Sequence, residues 1–416
     1  MEPISQDINN DQRLANAIAP EQFIHELQGE LQSILQYWLQ YTVDETNGGF
    51  YGSVSKDNIP DATAPKGLVL NSRILWAFAA AAVHEYNQQY AAAADRAFYY
   101  IQQYFIDINY GGAYWSVDAA GEPLDTKKQV YGIAFCIYGL SEYVKLTRSN
   151  EALQLAIDLY KHIEEHARDI SGEGYIEAFQ RDWSVIDDLR LSDKDSNTPK
   201  TTNTHLHIIE AYANLYEVWP DEKLREDIKN LLTIFDKFII DKNTHHLKLF
   251  FTREWQSQTR TYSFGHDIET AWLLQHCANV IQSSVYTQYF KGLAVKIAQT
   301  TLNWVDKDGA LWYELDISSK LVNRQKHWWV QAEAMVGFYN AYQLTGNKLY
   351  MQLCIRNWQF IQQYLIDTEK GEWFWGIDEK GELLNEPKAG FWKCPYHNVR
   401  ACLQLISRVQ QHQPVT

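Results

Sequence analysis

The sequence is most informative at Ile74-Leu75-Trp76-Ala77-Phe78-Ala79-Ala80-Ala81-Ala82-Val83, an almost wholly apolar stretch. As a helix it would have no polar face, and such a helix is buried on all sides. Polar residues, Asn71 to Arg73, come directly before it, and a long loop comes before them. The stretch therefore predicts an inner helix that is surrounded by other helices and is entered from a long loop.

Helical periodicity extends over most of the chain. Apolar residues recur at spacings of three and four in about twelve segments. Very short links alternate with links of about 20 to 30 residues; short links join antiparallel neighbours, and links as long as the others commonly carry function. The segments are 21–42, 67–88, 90–107, 128–147, 149–168, 202–218, 221–240, 266–281, 284–305, 327–345, 347–366 and 396–410.

The long links resemble one another. The strongest copies are Gly111-Gly112-Ala113-Tyr114-Trp115-Ser116-Val117-Asp118 and Gly371-Glu372-Trp373-Phe374-Trp375-Gly376-Ile377-Asp378, and weaker ones lie at 48–52, 172–175 and 309–313. Glycines at 49, 112, 174, 309 and 371 are separated by 63, 62, 135 and 62 residues, so one degenerate copy is expected near Leu247–Phe251. This period predicts about six units, each with two helices and a hairpin-like loop.

Six helix pairs can close into a ring. We therefore predict an all-α fold, an (α/α)6 barrel of six inner and six outer helices with the long loops over one end. An open α-solenoid is the alternative. No Pro-, Gly- or Ser-rich linker divides the chain, so residues 1–416 are predicted to form a single domain in which 1–20 are a polar N-terminal extension.

Composition narrows the partners and the compartment. The formal net charge of −15 disfavours nucleic acid and anionic membranes as partners. The aromatic content of 14% favours a carbohydrate ligand, since Trp and Tyr faces stack on sugars. Five widely spaced cysteines are typical of reduced thiols. No signal peptide and no apolar run of about 18 residues is present, so we expect a cytoplasmic protein, with a monomer as the default.

Polar side chains are concentrated where the inner helices are predicted to start, and all six starts lie at one end of the barrel. Polar groups buried in apolar helices need partners or a functional reason. We interpret His207, His266 and His397 as functional, whereas His205 points to a different face from His207 and stays open. The polar and aromatic residues at these starts are Asn71, Arg73, Tyr131, Asn203, His205, His207, His266, Asp267, Glu269, Trp328, Trp329, Glu333, Tyr396, His397 and Asn398.

Other chemistries are less well supported. The spacing HExxH is absent and His205 diverges from His207, which disfavours a metal site. No GxSxG, GxGxxG or P-loop motif indicates a nucleophilic serine or a nucleotide. A glycoside hydrolase could use paired carboxylates, with Asp267 or Glu269 opposite Asp195 or Glu333. Against it, histidine rather than acid recurs at the helix starts.

At these same positions the sequence resembles the N-acylglucosamine 2-epimerase superfamily and, within it, the members that act on cellobiose. The resemblance extends from about Gly48 to Leu405, and no motif position departs from it. It is carried by Lys66-Gly67-Leu68-Val69-Leu70-Asn71-Ser72-Arg73, Asn203-Thr204-His205-Leu206-His207, Ser263-Phe264-Gly265-His266-Asp267-Ile268-Glu269, Trp328-Trp329-Val330-Gln331-Ala332-Glu333 and Lys393-Cys394-Pro395-Tyr396-His397-Asn398.

The resemblance implies an (α/α)6 barrel that epimerises the reducing-end glucose of β-1,4-linked disaccharides at C2, without metal, nucleotide or other cofactor. Cellobiose would become glucosyl-mannose, with lactose and mannobiose as further substrates. A monosaccharide 2-epimerase or an aldose–ketose isomerase would share the intermediate. The implied catalytic residues are Arg73, His207, His266 and His397. The implied substrate-binding residues are Tyr131, Asp195, Asn203, Glu269, Trp312, Trp329 and Trp392.

Histidine suits this chemistry. The C2 proton is acidic only when C1 is an open aldehyde, so the sugar ring must open before a base removes that proton. Because the ordinary pKa of histidine is about 6.5, it can act as acid and base near neutrality. We predict that His266 and His397 exchange the protons, that Arg73 and His207 stabilise the negative oxygens, and that Glu269 orients His266.

Overall fold

The computed structural model describes residues 18–412, and their twelve α-helices alternate between an outer and an inner position. The outer helices are α1 (Pro20–Tyr41), α3 (Gln88–Tyr100), α5 (Asn150–His162), α7 (Glu222–Ile234), α9 (Ser284–Thr301) and α11 (Lys348–Phe360). The inner helices are α2 (Leu68–His84), α4 (Val130–Thr147), α6 (Thr202–Val218), α8 (Phe264–Val280), α10 (Trp328–Thr345) and α12 (Tyr396–His412).

The inner helices form a closed ring. Each packs against the next, and α12 packs against α2, while one outer helix covers each inner helix from outside. Burial follows the apolar pattern: every residue of α2 from Leu68 to Ala82 is buried. The predicted (α/α)6 barrel is thereby confirmed.

The two ends of the barrel differ in their connections. At the rear end, short links lead from inner to outer helices, and side chains such as Ser149 and Asp221 cap the next helix by accepting its free backbone N–H groups. At the front end, four outer helices finish in a π-helical turn where an unbroken α-helix was expected. These turns, Ile101–Phe105, Ile163–Ala167, Phe235–Ile239 and Ile361–Leu365, deliver the chain into the front loops, as the 3₁₀ turn Leu302–Trp304 does after α9.

Six long front loops cover the starts of the inner helices. We number them one to six: 42–67, 106–129, 168–201, 240–263, 305–327 and 366–395. Each opens with a bridged turn, and the bridge Ile240↔Leu247 confirms the degenerate copy in loop four. Their strands are β1 (Lys66–Gly67), β2 (Ser116–Val117), β3 (Pro123–Asp125), β4 (Lys128–Gln129), β5 (Ala178–Phe179), β6 (Lys200–Thr201), β7 (Phe250–Phe251), β8 (Thr261–Ser263), β9 (Glu314–Asp316), β10 (Val322–Asn323), β11 (Lys326–His327) and β12 (Gly376–Ile377).

These short strands join neighbouring loops into a rim. The antiparallel pairings are β1–β2–β3, β4–β5, β6–β7, β8–β9–β10 and β11–β12. A bridge between Val54 of loop one and Ala389 of loop six completes the circle. The rim therefore fixes the six helix starts relative to one another.

A buried ion pair holds five of the six loops, and we call it the loop clamp. An aspartate at the start of the loop pairs with a lysine near its end: Lys66–Asp44 at 2.8 Å, Lys128–Asp107 at 2.8 Å, Lys200–Asp169 at 2.9 Å, Lys326–Asp306 at 2.7 Å and Lys388–Asp367 at 2.6 Å. Within residues 18–412, loop four has Asp241 but carries Tyr262 where the clamp lysine is expected.

The structure bears on three predictions, those for the cysteines, for membrane spans and for the N-terminal extension. All five cysteines are buried and unpaired. Over residues 18–412, no helix combines the length and apolar character of a membrane span. Residues 1–17 of the predicted polar extension 1–20 lie outside the described residues. Helix α1 begins at Pro20, the last residue of that extension.

Candidate active site

A cleft of about 470 Å³ opens between loops three, four and five at the front end of the barrel. Its lining includes Asp195 and Asn203 from the third unit, His266 from the start of α8, and Tyr313 and His327 from loop five. The cleft is therefore formed by the starts of α6 and α8 together with loops three to five. Of the predicted catalytic residues, His266 lines it, whereas Arg73, His207 and His397 are not among its described lining residues.

His207 lies in the second turn of α6 and is 3% exposed. Its Nδ1 is 2.9 Å from Oε2 of Glu210, one turn further along the same helix. A carboxylate accepts a hydrogen bond at that distance, so Nδ1 carries the hydrogen and Nε2 keeps its lone pair. The ring of Tyr131 meets the imidazole edge-on at 5.1 Å.

His266 lies in the first turn of α8, with Nδ1 at 2.8 Å from Oγ of Ser263 at the end of loop four. The centroid of its ring is 4.9 Å from that of Trp329. His397 reaches the same indole from α12, with ring centroids 5.7 Å apart. Two predicted catalytic histidines thus lie beside one predicted stacking residue.

His397 is oriented by Glu333, a carboxylate of α10. Nδ1 of His397 lies 2.7 Å from Oε1 of Glu333, and Trp272 donates its indole N–H to Oε2 of the same carboxylate at 3.0 Å. As in His207, this contact leaves Nε2 of the imidazole with the lone pair.

Arg73 is 3% exposed and lies in the second turn of α2. Its Nη2 donates to the hydroxyl of Tyr131 at 2.9 Å, and its Nη1 donates to the carbonyl of Trp392 at 3.4 Å. The guanidinium also lies over the rings of Phe135 and Tyr396, at 4.1 and 4.7 Å from their centroids. Its charge is therefore held rigidly and is paired with no carboxylate among the described residues.

Beneath the histidines, Arg400 of α12 joins three buried carboxylates, and we call this set the central cluster. Nη2 of Arg400 donates to Oε1 of Glu269 at 2.6 Å and to Oε1 of Glu333 at 2.5 Å, and Nη1 donates to Glu210. The hydroxyl of Tyr396 donates to Glu210 at 2.7 Å. Since Glu210 and Glu333 hold His207 and His397, one arginine fixes both imidazoles through their carboxylates.

The central cluster does not carry a full charge on every carboxylate. Burial and the neighbouring Glu333 raise the pKa of Glu269 to about 8, against the opposing effect of Arg400. Burial also acts to raise the pKa of Glu210, but Arg400 and His207 outweigh it and hold that pKa at about 2. At neutral pH, Glu269 therefore holds a proton that it can donate, and Glu210 is ionised.

Burial makes the three histidines neutral. It lowers the pKa of His207 to about 4 and that of His266 to about 3, and positive neighbours add to the effect on His207. Burial and the charges of Arg73 and Arg400 lower the pKa of His397 well below its ordinary value. At pH 7 the three imidazoles are neutral and can accept a proton, and the lowered pKa makes each a weaker base than an exposed histidine.

His205, left open by the sequence, is a structural residue of the barrel wall. Its Nδ1 lies 2.7 Å from the carbonyl oxygen of Thr201, and its Nε2 accepts the backbone N–H of Tyr175 at 3.0 Å. Both nitrogens are thus engaged by the backbone, and none remains for a substrate.

The other predicted binding residues fall into two groups. Asp195 and Asn203 line the cleft, and Trp392 lies 6.2 Å from the ring of Tyr131. Burial raises the pKa of Asp195. Trp312 lies apart, in loop five, where the guanidinium of Arg324 covers its ring at 5.0 Å; it is outside the described lining of the cleft.

Two groups of side chains have the composition of metal ligands. Glu269, Glu333 and His397 offer atoms within 4.8 Å of one another, but Arg400 already contacts both carboxylates there. His162, Glu165 and His166 form the second group, on the outer wall. The guanidinium supplies the positive charge that a metal would bring to the first group.

The sequence alone did not indicate Glu210 and Arg400. Each lies one turn beyond a predicted catalytic histidine, at the spacings His207-x-x-Glu210 and His397-x-x-Arg400, inside an otherwise buried helix. A search for charged residues three positions after each histidine would have found both, because that spacing places them on the same helix face.

A family model described as N-acylglucosamine 2-epimerase (GlcNAc 2-epimerase) matches residues 49–401. The chain belongs to the N-acylglucosamine 2-epimerase family. Over 383 residues it is 45% identical to a cellobiose 2-epimerase of Bacteroides fragilis, covering 92% of this chain and 98% of that relative. Membership confirms the resemblance and the prediction of a carbohydrate epimerase-type enzyme.

Solved structures agree with this fold. The structure of cellobiose 2-epimerase from Bacillus thermoamylovorans B4167 superposes with a TM-score of 0.89 at 39% identity, over 93% of this chain and 100% of that one. A D-mannose isomerase structure superposes with a TM-score of 0.80 at 22% identity, over 92% of this chain and 97% of that one. The latter likeness shows the fold alone.

Proposed function

We propose that the protein is a cellobiose 2-epimerase, which interconverts glucose and mannose at the reducing end of β-1,4-linked disaccharides. The observation that carries the proposal is the placement of two neutral histidines, His266 and His397, beside the same indole of Trp329. Two bases beside one stacking platform can reach opposite faces of one sugar carbon.

The reaction begins with opening of the reducing-end ring. A proton leaves O1 and a proton is delivered to O5 as the C1–O5 bond breaks, which gives the open aldehyde. His397, whose Nε2 holds the lone pair, is suited to take the first proton, and the protonated carboxyl group of Glu269 is a candidate for proton delivery.

One histidine then removes the proton from C2, and the electrons of the C2–H bond form a cis-enediolate whose negative charge lies on O1. Arg73, held by Tyr131 and by aromatic rings, and the N-termini of the inner helices stabilise this oxygen. The second histidine returns a proton to C2 from the other face. Because His397 already holds the O1 proton, His266 is the C2 base in this direction and His397 reprotonates C2. On ring closure O1 takes its proton from His266, and O5 returns its proton to Glu269. We assign these two roles to His266 and His397.

Three lines support the substrate class. The cleft of about 470 Å³ has room for more than one sugar ring, and Asp195 and Asn203 offer polar groups in the same lining as His266. The relative with 45% identity is named for cellobiose. We further propose lactose and mannobiose as substrates and a single catalytic domain that acts as a cytoplasmic monomer without metal or other cofactor.

NMR of the protein incubated with cellobiose in D2O tests the proposal. We expect the signals of a C2 epimer, with deuterium at C2, and loss of both in His266→Ala and His397→Ala. Wild-type exchange at C2 in either variant would remove that histidine from the mechanism. Free glucose as the product would support a hydrolase instead, and a ketose would support an aldose–ketose isomerase.

A further inference from the structure

Front loop four is built differently from the other five. It keeps the aspartate of the loop clamp, since Asp241 accepts the backbone N–H groups of Asn243 and Thr244 at 2.9 and 3.0 Å, as Asp44 does for its own turn in loop one. Tyr262, however, stands two residues before the inner helix, where loops one, two, three and five carry the clamp lysine, and Asp241 faces only the partly exposed Lys248 of the described residues, at 3.7 Å. A different contact must therefore fix the end of this loop.

That contact is a histidine–aspartate pair in which the donor and the carboxylate have exchanged places relative to the loop clamp. Nδ1 of His246 lies 2.6 Å from Oδ2 of Asp267, and the backbone N–H of Leu247 donates to Oδ1 at 2.8 Å. Here the carboxylate stands on the inner helix and the donor stands in the loop. Tyr262, at the lysine position, stacks on the imidazole of His246 with ring centroids 4.2 Å apart.

The pair lies directly beside His266. Asp267 is the next residue in the first turn of α8 and is completely buried, and His246 is 6% exposed. Two hydrogen bonds to one carboxylate thus fix the backbone of the turn that carries His266. Among the described residues, the imidazole itself is oriented by the 2.8 Å hydrogen bond with Ser263 and by the ring of Trp329, 4.9 Å away.

Loop three shows what a lysine would do at this place. The charge of Lys200 contributes to the lowering of the pKa of His205, five residues further on, although burial is the main cause. A lysine at position 262 would stand four residues before His266. Of the groups that face His266, His207 opposes its protonation and Glu333 favours it, so another buried cation would oppose it further.

We infer that His246 and Asp267 are positioning residues for His266, which take the place of the lysine–aspartate clamp at the start of α8. The inference rests on the proposed role of His266. The pair anchors the first turn of α8 without placing a fixed ammonium group next to the base.

Matched variants of His246 test the inference. Asparagine places its amide nitrogen near the position of Nδ1, whereas glutamine places it near Nε2, so His246→Asn can donate to Asp267 and His246→Gln cannot. We expect His246→Asn to keep kcat within about threefold of wild type, and His246→Gln and Asp267→Asn to lose about 10- to 100-fold in kcat with KM nearly unchanged.

A second test restores the ordinary clamp. Tyr262→Lys places an ammonium group opposite Asp241, and Tyr262→Phe, which keeps the stacking on His246, is its control. We expect Tyr262→Lys to fold and to bind cellobiose with an unchanged KM, while deuterium exchange at C2 slows at least about 10-fold. Tyr262→Phe is expected to exchange at the wild-type rate.

The outcomes separate the inference from the proposed function. If His246→Gln and Asp267→Asn fold and keep the wild-type kcat, or if asparagine and glutamine at 246 are equally impaired, the inference is wrong. Should Tyr262→Lys exchange at the rate of Tyr262→Phe, the electrostatic part is wrong. His266→Ala, measured in parallel, reports on the proposed function alone, since wild-type exchange in that variant overturns the role of His266 itself.

Discussion

The front and rear ends of the barrel are built from the same six inner helices, yet they differ in chemistry. The front has neutral histidines and the guanidinium of Arg73, which pairs with no carboxylate within residues 18–412, at helix N-termini. The rear has a cavity of about 320 Å³ where Lys145 pairs with Glu142 and Glu217 at 3.0 and 2.6 Å. The central cluster lies between them, since Glu210 and Arg400 also line the rear cavity.

The difference follows from helix polarity. The N-terminus of a helix carries partial positive charge and stabilises anions, whereas the C-terminus favours cations such as Lys145 in the last turn of α4. The N-termini of all six inner helices lie at the front end, so that end favours negative charge. At the rear end, the C-termini of the same helices carry partial negative charge, which does not stabilise a negative intermediate.

The largest effect is expected at the boundary between the two ends. Arg400→Met leaves three carboxylates buried without their cation, which should lower the free energy of unfolding by about 3–5 kcal/mol and abolish epimerisation. Urea unfolding and the NMR assay measure both. Arg408→Met, two turns further to the rear, is the control, because it loses hydrogen bonds to uncharged side chains, those of Gln404, Asn340 and Gln343, and we expect about 1–2 kcal/mol and full activity. Equal losses of unfolding free energy and of activity in the two variants would show that the front and the rear do not differ in this way.

Glu333→Gln sharpens the comparison on the front side. Glutamine keeps the shape of the side chain but removes the carboxylate that fixes the tautomer of His397. We expect kcat to fall about 100-fold, and the melting temperature to fall less than in Arg400→Met because Arg400 keeps Glu210 and Glu269 as partners. Initial rates with cellobiose and circular dichroism melts give the two quantities. A wild-type kcat would show that His397 acts without this partner.

Stability against pH tests the histidine of the wall. Because burial lowers the pKa of His205 to about 4, its contribution to stability is present above its ordinary pKa of 6.5 and is lost as the pH falls towards 4. In His205→Gln, the slope of unfolding free energy against pH between 4.5 and 6.5 should be shallower by up to about 1.4 kcal/mol per pH unit. An unchanged slope would mean that His205 does not titrate in this way.

The smallest effect is expected at the rear. Lys145→Met removes partly exposed ion pairs, so the free energy of unfolding should change by about 1 kcal/mol or less. We expect kcat and KM for cellobiose to stay at wild-type values. A loss of kcat would show that the charges of the rear cavity act on the reaction through the central cluster.

The fold could be predicted from the sequence because its signals are local. The segment 202–218 matches α6 to the residue, since apolar periodicity and the polar start are both visible in the chain. The π-helical turns were not predicted, because their hydrogen-bond pattern depends on how the chain enters the rim. The loop clamps were missed for a related reason, as Lys66 and Asp44 meet only when the loop is folded.

In the site, too, local signals could be predicted from the sequence and contacts across the barrel could not. Helix starts point to His207, His266 and His397, but only contacts across the barrel reveal that Arg400 joins Glu210, Glu269 and Glu333. His205 and His207 are equivalent as letters in the sequence. Their roles separate through Tyr175, thirty positions away, whose backbone N–H occupies one of the two imidazoles.

The ring also has a consequence for how the chain can be cut. Helix α1 starts at the rear and packs against α12, which ends at the rear, so these two helices meet as every other inner and outer pair does. The order of the units is therefore cyclic, and the polypeptide interrupts the circle at only one of six equivalent joints. A circular permutant that links α12 to α1 and opens at Gly346–Asn347 should keep every front loop intact, and with them the catalytic cleft.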